Sequence, residues 1–537
     1  MNALRADDLP LEYNAVDILE RNLSLRAAKT ALHSDTRHLT FGEVSAEVNQ
    51  VTNGLRSLGV RFGETVAILC LDTPEFVCAF FGTIKAGAVA ASFNTLLKPA
   101  DYRYALDDCR ARVLFVDARL LGSIAPIRAT ARWLEHVIVV GGDGAGVGEG
   151  AGEGAGEVDG VRYGAFVAGQ PTAADATPTH RDDFCCLNYS SGTTGEAKGI
   201  LHAHKDLPLT AHNWGLLTLG LREDDRTFAA AKLFFTFGTG GNLVFPWYVG
   251  ASVTLFAGPP RDPHALLGVI ARHRPTVFYN APTGYGMLLS LEDLTTANDL
   301  SSLRLCVSAG EALPAPIWHA WKARTGLGIV DGIGSTENYH IFVSNRPDDI
   351  RPGSSGTPVP GYDVRIVDEG GDGVPDGEIG NLLVRGETAA LFYLHQSAKS
   401  RTTFLGEWLF TGDKYRRDGD GYYWHEGRSD DMLKVGGIWV SPVEVESALL
   451  SHDAVLEVAV VGVPDANDLV KPKAYVVVHA HAVAGDDLAA ALIAYCRDVI
   501  AEYKRPRWIV FVDDLPKTAT GKIQRFRLRD REPDIDA

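Results

Sequence analysis

The stretch YSSGTTGEAKG, residues Tyr189–Gly199, carries the strongest signal for the fold of this chain. It follows the apolar run FCCLN at residues 184–188 and precedes His202-Ala203-His204. Glycines and small hydroxyl residues let a backbone approach phosphate oxygens closely, and Lys198 adds a positive charge. The stretch is not a Walker A loop, because Lys198 is followed by glycine rather than by serine or threonine. On its own, the pattern is also compatible with a flexible surface turn.

Helix and strand patterns alternate in the sequence that precedes this stretch. Residues 41–60 have apolar positions at helical spacing, and a glycine near their end indicates where the helix ends. The apolar run at residues 65–71 predicts a short buried strand. A second helix and strand follow at residues 74–93, and further buried strands at 112–118 and 136–142. Strands that alternate with helices favour a mainly parallel sheet flanked by helices. We therefore predict a multi-domain α/β fold.

The C-terminal part of the chain has a different character. Short β runs and turns after about residue 360 indicate a small β-subdomain, and the last ~100 residues predict a compact α+β unit. We place the boundary in the polar stretch Gly427–Asp430, which gives a large N-terminal domain at residues 1–428 and a small C-terminal domain at 429–537. Residues 141–160 form a low-complexity, Gly-rich segment, which we predict to be a solvated insertion without chemistry.

Composition and charge exclude several classes of function. The chain has 537 residues, 46% hydrophobic and 22% charged, as is typical of a globular protein. Its net charge of −17 predicts repulsion from phosphate backbones and anionic membranes, which excludes bulk nucleic-acid binding. The longest apolar stretch, Phe76–Phe93, contains Lys85 and indicates a buried helix and strand rather than a membrane span. Seven cysteines without a CxxC pair, and no signal-peptide pattern, predict a cytoplasmic protein. We expect a monomer or a homodimer.

Further motifs follow the first one along the chain. They are SAGEALP (Ser308–Pro314), DGIGSTE (Asp331–Glu337), TGD (Thr411–Asp413), GRSDDMLKVGG (Gly427–Gly437) and PKTATGKIQR (Pro516–Arg525). With these motifs in this order, the chain resembles the adenylate-forming superfamily of acyl-CoA synthetases, peptide-synthetase adenylation domains and luciferases. The ordered set is far more specific than any single motif. The resemblance implies a large adenylate-forming domain and a small mobile C-terminal domain that carries the adenylation lysine.

The resemblance also implies a two-step reaction that uses ATP, Mg²⁺ and CoA. A carboxylate attacks the α-phosphate of ATP and expels pyrophosphate, and the CoA thiol then displaces AMP from the acyl-AMP. Because an anion attacks a polyanion, the first step needs positive charge and positioning more than acid–base chemistry. By the resemblance, Lys522 bridges the carboxylate and the α-phosphate, Thr336 hydrogen-bonds the α-phosphate, and Glu337 helps to hold Mg²⁺.

Other positions are assigned to nucleotide and CoA binding by the same resemblance. Asp413 accepts the ribose hydroxyls beside Arg428, and Asp430 is the hinge about which the C-terminal domain rotates. The nucleotide-binding residues are Ser190, Ser191, Gly192, Thr193, Thr194, Gly195, Lys198, Gly310, Glu311, Ala312, Asp331, Gly332, Asp413 and Arg428, and those for CoA are Lys434, Gly436 and Gly437. Taken singly, Asp413 is also compatible with an ordinary turn aspartate and Lys522 with a mobile C-terminus.

Within the superfamily, the segments Asp331–Arg346, Lys232–Ser252 and Gly437–Pro442 look most like benzoate and aminobenzoate CoA ligases. We therefore expect an ATP-dependent ligase for benzoate, aminobenzoate or hydroxybenzoate. The expected acyl pocket consists of Phe235, Ala281, Tyr285, Gly332, Ile333 and His340. A flat acid would stack on these rings, with its carboxylate hydrogen-bonded to His340. The alternative is that the aromatic residues are only core and His340 is a satisfied buried histidine. The polar pair Asn338-Tyr339 favours an amino- or hydroxy-substituted acid.

Three other functions compete with this hypothesis. One is a stand-alone adenylation domain that loads an aryl acid onto a carrier protein instead of CoA. The second is a catalytically silent nucleotide-binding regulator, which predicts the loss of Lys522, Glu337 or Asp413, although all three are present. The third is a luciferase-type oxidation, for which no residue argues, and fold alone does not decide function.

Overall fold

The computed structural model describes residues 2–142, 160–190, 197–429, 431–435, 438–465, 469–517 and 523–529. Most of the predicted insertion at 141–160 lies outside these ranges. The same is true of the predicted site residues Ser191, Gly192, Thr193, Thr194, Gly195, Asp430, Gly436, Gly437 and Lys522.

Two large sheets form the core of the N-terminal part. Their strands are β1 (Thr30–His33), β2 (His38–Thr40), β3 (Thr65–Leu69), β4 (Val89–Ser92), β5 (Val113–Asp117), β6 (His136–Val140), β7 (Val161–Arg162), β8 (Phe184–Ser190), β9 (Lys198–Ala203), β10 (Arg226–Ala229), β11 (Ser252–Thr254), β12 (Val277–Asn280), β13 (Leu305–Ser308), β14 (Ile329–Gly334), β15 (Ile341–Ser344) and β16 (Thr357–Pro358). One sheet has the order β7-β6-β5-β3-β4-β8-β9 and is parallel except for β9. The other has the order β16-β15-β14-β13-β12-β10-β11-β1-β2, parallel from β14 to β1 and antiparallel at both edges.

Helices cover the faces of these sheets. They are α1 (Asp17–Glu20), α2 (Leu23–Arg26), α3 (Phe41–Ser57), α4 (Pro74–Lys85), α5 (Pro99–Asp108), α6 (Leu121–Ile124), α7 (Tyr163–Val167), α8 (Asp206–Thr210), α9 (Thr236–Thr239), α10 (Phe245–Tyr248), α11 (Pro263–His273), α12 (Pro282–Leu289) and α13 (Ala315–Thr325). Short 3₁₀ turns lie at Ala6–Asp8, Ala118–Leu120, Arg128–Thr130 and Thr336–Asn338, and π-helical turns at Ala211–Leu216 and Gly240–Val244. Helix α3 begins with a capping box, in which Thr40 Oγ1 accepts from Glu43 N at 3.2 Å and Glu43 Oε2 accepts from Thr40 N at 2.8 Å.

The apolar stretch Phe76–Phe93 forms most of the buried helix α4 and the strand β4, as predicted. Strands such as β4 and β5 are buried on both faces, because helices exclude water from either side. Over the ranges that the structure describes, no helix combines the length and the apolar surface needed to cross a bilayer.

The remaining chain builds smaller sheets. Strands β17 (Tyr362–Val367), β18 (Gly380–Gly386), β19 (Phe404–Leu405), β20 (Trp408–Arg417) and β21 (Tyr423–Arg428) form an antiparallel sheet, with α14 at Ser397–Thr403. After it come the hairpin β22 (Leu433–Val435) and β23 (Ile438–Val440), and the sheet β24 (Val455–Pro464), β25 (Val470–Val478) and β26 (Trp508–Phe511), with α15 (Pro442–Leu450), α16 (Asp486–Val499), a 3₁₀ turn at Glu502–Lys504 and α17 (Arg525–Arg529).

This C-terminal unit has its own apolar core, in which Val440, Leu449, Val460 and Leu492 are fully buried. The mixed α/β architecture with parallel sheets and a separate C-terminal domain confirms the predicted fold class. The predicted boundary at residues 428 and 429 coincides with the end of β21, and the division itself stays a prediction.

Candidate active site

Adjacent parallel strands of the nine-stranded sheet end at one edge. Strands β10, β12, β13 and β14 are neighbours in register, so the segments that follow them lie side by side. Ligands of open α/β sheets bind in the crevice outside the carboxyl ends of such strands. The structure thereby brings together several predicted site residues: Phe235 after β10, Ala281 after β12, Gly310, Glu311 and Ala312 after β13, and Asp331, Gly332, Ile333, Thr336 and Glu337 in or after β14.

The hairpin β8–β9 of the seven-stranded sheet faces this edge. Ser190 and Lys198 are paired across the two strands. Both belong to the predicted phosphate-binding motif at residues 189–199, which we call the phosphate loop. Asn188 Nδ2 donates to the carbonyl of Phe234 at 3.3 Å, and His202 Nε2 lies 2.7 Å from the carbonyl oxygen of Thr336. These contacts hold the hairpin β8–β9 against the segments that follow β10 and β14.

Lys198, Tyr393 and Glu337 form a polar cluster at the base of the phosphate loop. The ammonium of Lys198 lies 4.8 Å from the centre of the Tyr393 ring, and the Tyr393 hydroxyl donates to Glu337 Oε1 at 2.8 Å. Burial lowers the pKa of Lys198, Glu337 opposes this effect, and the neighbouring cations Lys399 and Arg428 lower the pKa further. Cations held close together in a half-buried cleft indicate a site for a polyanion.

Glu337 is half-buried, and Tyr393 fixes the direction of its carboxylate. Among the residues that the structure describes, no group of three or more His, Cys, Asp and Glu side chains is arranged to enclose a metal ion. Mg²⁺ is commonly held by one or two carboxylates together with substrate phosphates and water. A single oriented carboxylate beside the phosphate loop therefore fits Mg²⁺ that arrives with a nucleotide.

The segments after β13 and β14 are shaped by glycines and by one buried acid. Gly310 has a φ of +96°, which favours glycine, and a Cβ at Gly332 would lie 2.7 Å from the carbonyl oxygen of Val343. Glu311 accepts from Thr283 Oγ1 at 2.7 Å. Burial raises the pKa of Asp331 to about 8, although Ser308 and the backbone amides of Leu313 and Gly332 oppose the shift. Asp331 is only 5% exposed.

Asp413 and Arg428 face each other across strands β20 and β21. Arg428 Nη1 lies 3.1 Å from Asp413 Oδ1, and His425 Nε2 lies 3.7 Å from the same oxygen. Burial alone would raise the pKa of Asp413, but His425 and Arg428 outweigh burial and hold it below its ordinary value. The carboxylate stays ionised and can accept two hydrogen bonds from a diol.

The predicted acyl pocket is only partly assembled. His340 is 3% exposed, and its ring lies 4.7 Å from those of Trp214 and Phe245 and 5.5 Å from that of Phe237. Phe235, Ala281 and Ile333 are half-buried at the same sheet edge. Tyr285 does not join them.

Tyr285 packs on the other face of the nine-stranded sheet. Its ring contacts Phe278 and Trp321, and its hydroxyl lies 3.1 Å from the carbonyl oxygens of Phe278 and Val307. Neighbouring residues in a strand point to opposite faces, so Tyr279 rather than Phe278 faces the His340 side. The structure therefore separates Tyr285 from the other predicted pocket residues.

The C-terminal unit approaches the cleft through the segment after the predicted adenylation lysine. Arg525 lies only three residues beyond Lys522 and bonds to Glu446, with Nη2–Oε2 at 2.7 Å. Burial lowers the pKa of Arg525, but Glu446, Asp431 and also Glu311 raise it above its ordinary value. Glu311 belongs to the predicted adenine segment, so the charge of this segment acts on Arg525 at the start of α17. Lys434, predicted to contact CoA, is exposed on β22.

The functional residues predicted from the sequence do not include Tyr393, Lys399 or the buried His202. Tyr393 and Lys399 lie between the motifs, in a segment without a recognisable pattern. Leu394 N donates to the carbonyl of Gly199 at 2.8 Å and Gln396 Nε2 to that of Ala197 at 3.2 Å, which brings this segment to the phosphate loop. The His-Ala-His pattern after the loop was a usable signal for His202.

Comparison with known proteins identifies similar chains over almost the whole length. Residues 19–394 match the family described as AMP-binding enzyme, and residues 444–522 match the family described as AMP-binding enzyme C-terminal domain. The chain is 46% identical over 532 residues to the benzoate–CoA ligase of Thauera aromatica, covering 98% of each protein.

Two solved structures are also similar. The anthranilate CoA ligase AuaEII in complex with anthranoyl-AMP is 59% identical, with a TM-score of 0.93 and 98% of each chain covered. A benzoate CoA ligase from Burkholderia xenovorans LB400 is 42% identical, with a TM-score of 0.87, covering 96% of this chain and 100% of that one. The predicted resemblance to benzoate and aminobenzoate ligases is confirmed.

Proposed function

We propose that this chain, which belongs to the family of AMP-binding enzymes, ligates 2-aminobenzoate to CoA at the expense of ATP. The predicted enzyme class, an AMP-forming acid–thiol ligase for aromatic acids, is confirmed by the full-length similarity to a benzoate–CoA ligase. The observation that carries the proposal is the cleft where the carboxyl ends of both sheets meet, with cations, an oriented carboxylate and an aromatic box around His340 at one edge.

We assign the residues of this cleft as follows. Lys198 and the phosphate loop hold the outgoing phosphates, Thr336 bonds the α-phosphate, and Asp413 with Arg428 holds the ribose. Mg²⁺ held with the aid of Glu337 neutralises phosphate charge when it is bound. Lys522 brings the acid carboxylate to the α-phosphorus, whose bond to the bridging oxygen breaks as pyrophosphate leaves. The CoA sulfur then attacks the carbonyl carbon, and AMP departs with the electron pair of the broken C–O bond.

The protonation of His340 supports an amino-substituted acid. Burial lowers the pKa of His340 to about 3, so the ring is neutral. Its Nε2 lies 3.3 Å from the carbonyl oxygen of Phe237, which only accepts, so Nε2 carries the hydrogen and Nδ1 is an acceptor. Nδ1 is buried without a hydrogen-bond partner in the described part of the chain. An acceptor of this kind bonds an amino group, and it does not bond a carboxylate, which is the group predicted from the sequence to contact His340.

The expected result is a preference for 2-aminobenzoate over benzoate of about 10-fold in kcat/KM, because benzoate leaves the buried acceptor unpaired. The measurement is AMP release with ATP, Mg²⁺ and CoA, with mass spectrometry of the thioester. The panel contains benzoate, 2-aminobenzoate, the hydroxybenzoates, cyclohexanecarboxylate and a medium-chain fatty acid. His340→Phe should remove the preference while retaining benzoate turnover.

A clear preference for benzoate would contradict the choice of acid. AMP release without any CoA thioester would point to a carrier protein as the acceptor. We extend the proposal to the cytoplasm, where ATP and CoA are available, and to a monomer or homodimer. Size-exclusion chromatography with light scattering tests the oligomeric state.

Lys399 is proposed as a second phosphate-binding lysine. Replacing it with alanine should raise the KM for ATP about 10-fold, because a charge-assisted bond to phosphate is lost, whereas Lys399→Arg should retain most of the affinity. Arg401 is the matched control, since it is exposed on the same helix α14. Equal effects of Lys399→Ala and Arg401→Ala on the KM for ATP would exclude a specific role for Lys399.

A further inference from the structure

A buried histidine–aspartate pair lies directly behind the turn that carries Thr336 and Glu337. His202 is in β9 with no exposed surface, and Asp206 is the first residue of α8 with 3% exposed. His202 Nδ1 lies 3.0 Å from Asp206 Oδ2, and the same oxygen accepts from Ala203 N at 2.9 Å. The pair is therefore fixed to the end of the hairpin β8–β9.

The contacts of His202 fix the orientation of its ring. Its Nε2 lies 2.7 Å from the carbonyl oxygen of Thr336, which only accepts, so Nε2 carries a hydrogen. Its Nδ1 shares a hydrogen bond with Asp206 Oδ2 on the opposite side of the ring. Asp206 therefore holds the ring with Nε2–H directed at the Thr336 carbonyl.

Every backbone carbonyl oxygen of the turn Thr336–Asn338 accepts a hydrogen bond. In addition to His202, three donors bond to these oxygens. Tyr339 N donates to the carbonyl of Thr336 at 3.0 Å, and Ala390 N donates to that of Glu337 at 2.7 Å. Thr388 Oγ1 donates to the carbonyl of Asn338 at 3.0 Å. The next residue, Tyr339, has a φ of +66°, which residues other than glycine rarely adopt. The surrounding contacts hold this strained backbone in place, and the His202 ring packs edge-on against Tyr339 at 5.2 Å.

We propose that His202, oriented by Asp206, is a positioning residue that holds Thr336 and Glu337 in place for the phosphates. The inference rests on the proposed function, since it assigns His202 a part in the adenylation step. His202 touches no substrate, and it acts through one short, buried hydrogen bond to the backbone carbonyl of Thr336. Small displacements of positioned groups cost large factors in rate, so the bond matters more for kcat than for binding of the acid.

The experiment compares His202→Ala with His204→Ala. His204 is a matched control, because it is 1% exposed in the same segment but bonds to Ala15 N instead of the turn. We expect His202→Ala to lower kcat for acid-dependent pyrophosphate release about 10- to 100-fold more than His204→Ala. The KM for the acid should stay within about 2-fold, and thioester formation from supplied acyl-AMP should fall much less, because that step involves no triphosphate.

The second experiment compares two variants of Asp206. It tests the proposal on its own if His202→Ala does not fold. In Asp206→Asn the amide donates to Nδ1 of a neutral His202, which keeps Nε2–H on the Thr336 carbonyl, whereas Asp206→Ala leaves the ring unsupported. Asparagine should therefore recover most of the adenylation rate that alanine loses.

Equal rates for the two Asp206 variants, or equal loss in both half-reactions for His202→Ala and His204→Ala, would overturn the inference. A wild-type protein that forms no aryl-CoA would overturn the proposed function instead. In that case, calorimetric ATP affinity of the same variants tests the inference, with His202→Ala expected to bind more weakly than His204→Ala.

Discussion

Lys522→Ala should abolish acyl-AMP formation from free acid and ATP, with a loss on the order of 10²–10³-fold or more in the rate of pyrophosphate release. The attacking carboxylate and the α-phosphate are both anionic, and Lys522 supplies the charge that lets them approach. Thioester formation from supplied acyl-AMP should be spared, because the acyl-phosphate bond already exists. Pyrophosphate release and thioester formation are measured separately, the second with synthetic acyl-AMP and CoA.

The same segment offers a matched control. Lys517 is five residues earlier and pairs with Glu457 at 2.6 Å and Asp514 at 2.9 Å, so its charge is already neutralised within the C-terminal unit. Lys517→Ala should leave adenylation within about 3-fold of the wild-type rate, because loss of such ion pairs has a modest effect. Equal losses in both half-reactions for Lys522→Ala would contradict its assigned role.

The helices and strands of the fold could be predicted where a local sequence pattern specifies them. The stretch Phe76–Phe93 becomes α4 and β4 because its apolar residues are continuous and are interrupted only where the chain turns. The order of the strands could not be predicted in this way. Strand β1 pairs with β11, which lies more than two hundred residues later. Nothing in the four residues of β1 or the three residues of β11 specifies this pairing. Such pairings depend on how whole layers pack.

The candidate site likewise contains residues that the sequence predicts and residues that it does not. Motif residues such as Asp413 and Arg428 are brought together as expected, because they lie on adjacent paired strands. Tyr285 is separated from the pocket because its hydroxyl bonds to two carbonyls on the opposite face of the sheet. Tyr393 and Lys399 lie in a segment without a distinctive pattern. Their proximity to Lys198 is created by bonds from residues 394 and 396 to the loop backbone, which no linear pattern encodes.

Glu337→Gln should lower the rate of adenylation by about 10²-fold at limiting Mg²⁺, because the amide keeps the shape of the side chain but loses the charge that a hard cation requires. The loss should shrink as Mg²⁺ rises, since a weakened ligand raises the concentration of metal needed for saturation. Titrating pyrophosphate release against free Mg²⁺ at fixed ATP measures both effects.

Two further variants separate metal binding from general loss of charge or of packing. Glu378 is exposed on a surface turn, so Glu378→Gln removes the same charge without touching the cleft and should leave the Mg²⁺ titration unchanged. Tyr393→Phe removes the hydroxyl that orients Glu337 but keeps the ring under Lys198, and should shift the titration less than Glu337→Gln does. If Glu337→Gln showed the wild-type Mg²⁺ dependence with only a lower plateau, the carboxylate would orient the substrate phosphates through the protein, and the metal would be held by the nucleotide alone.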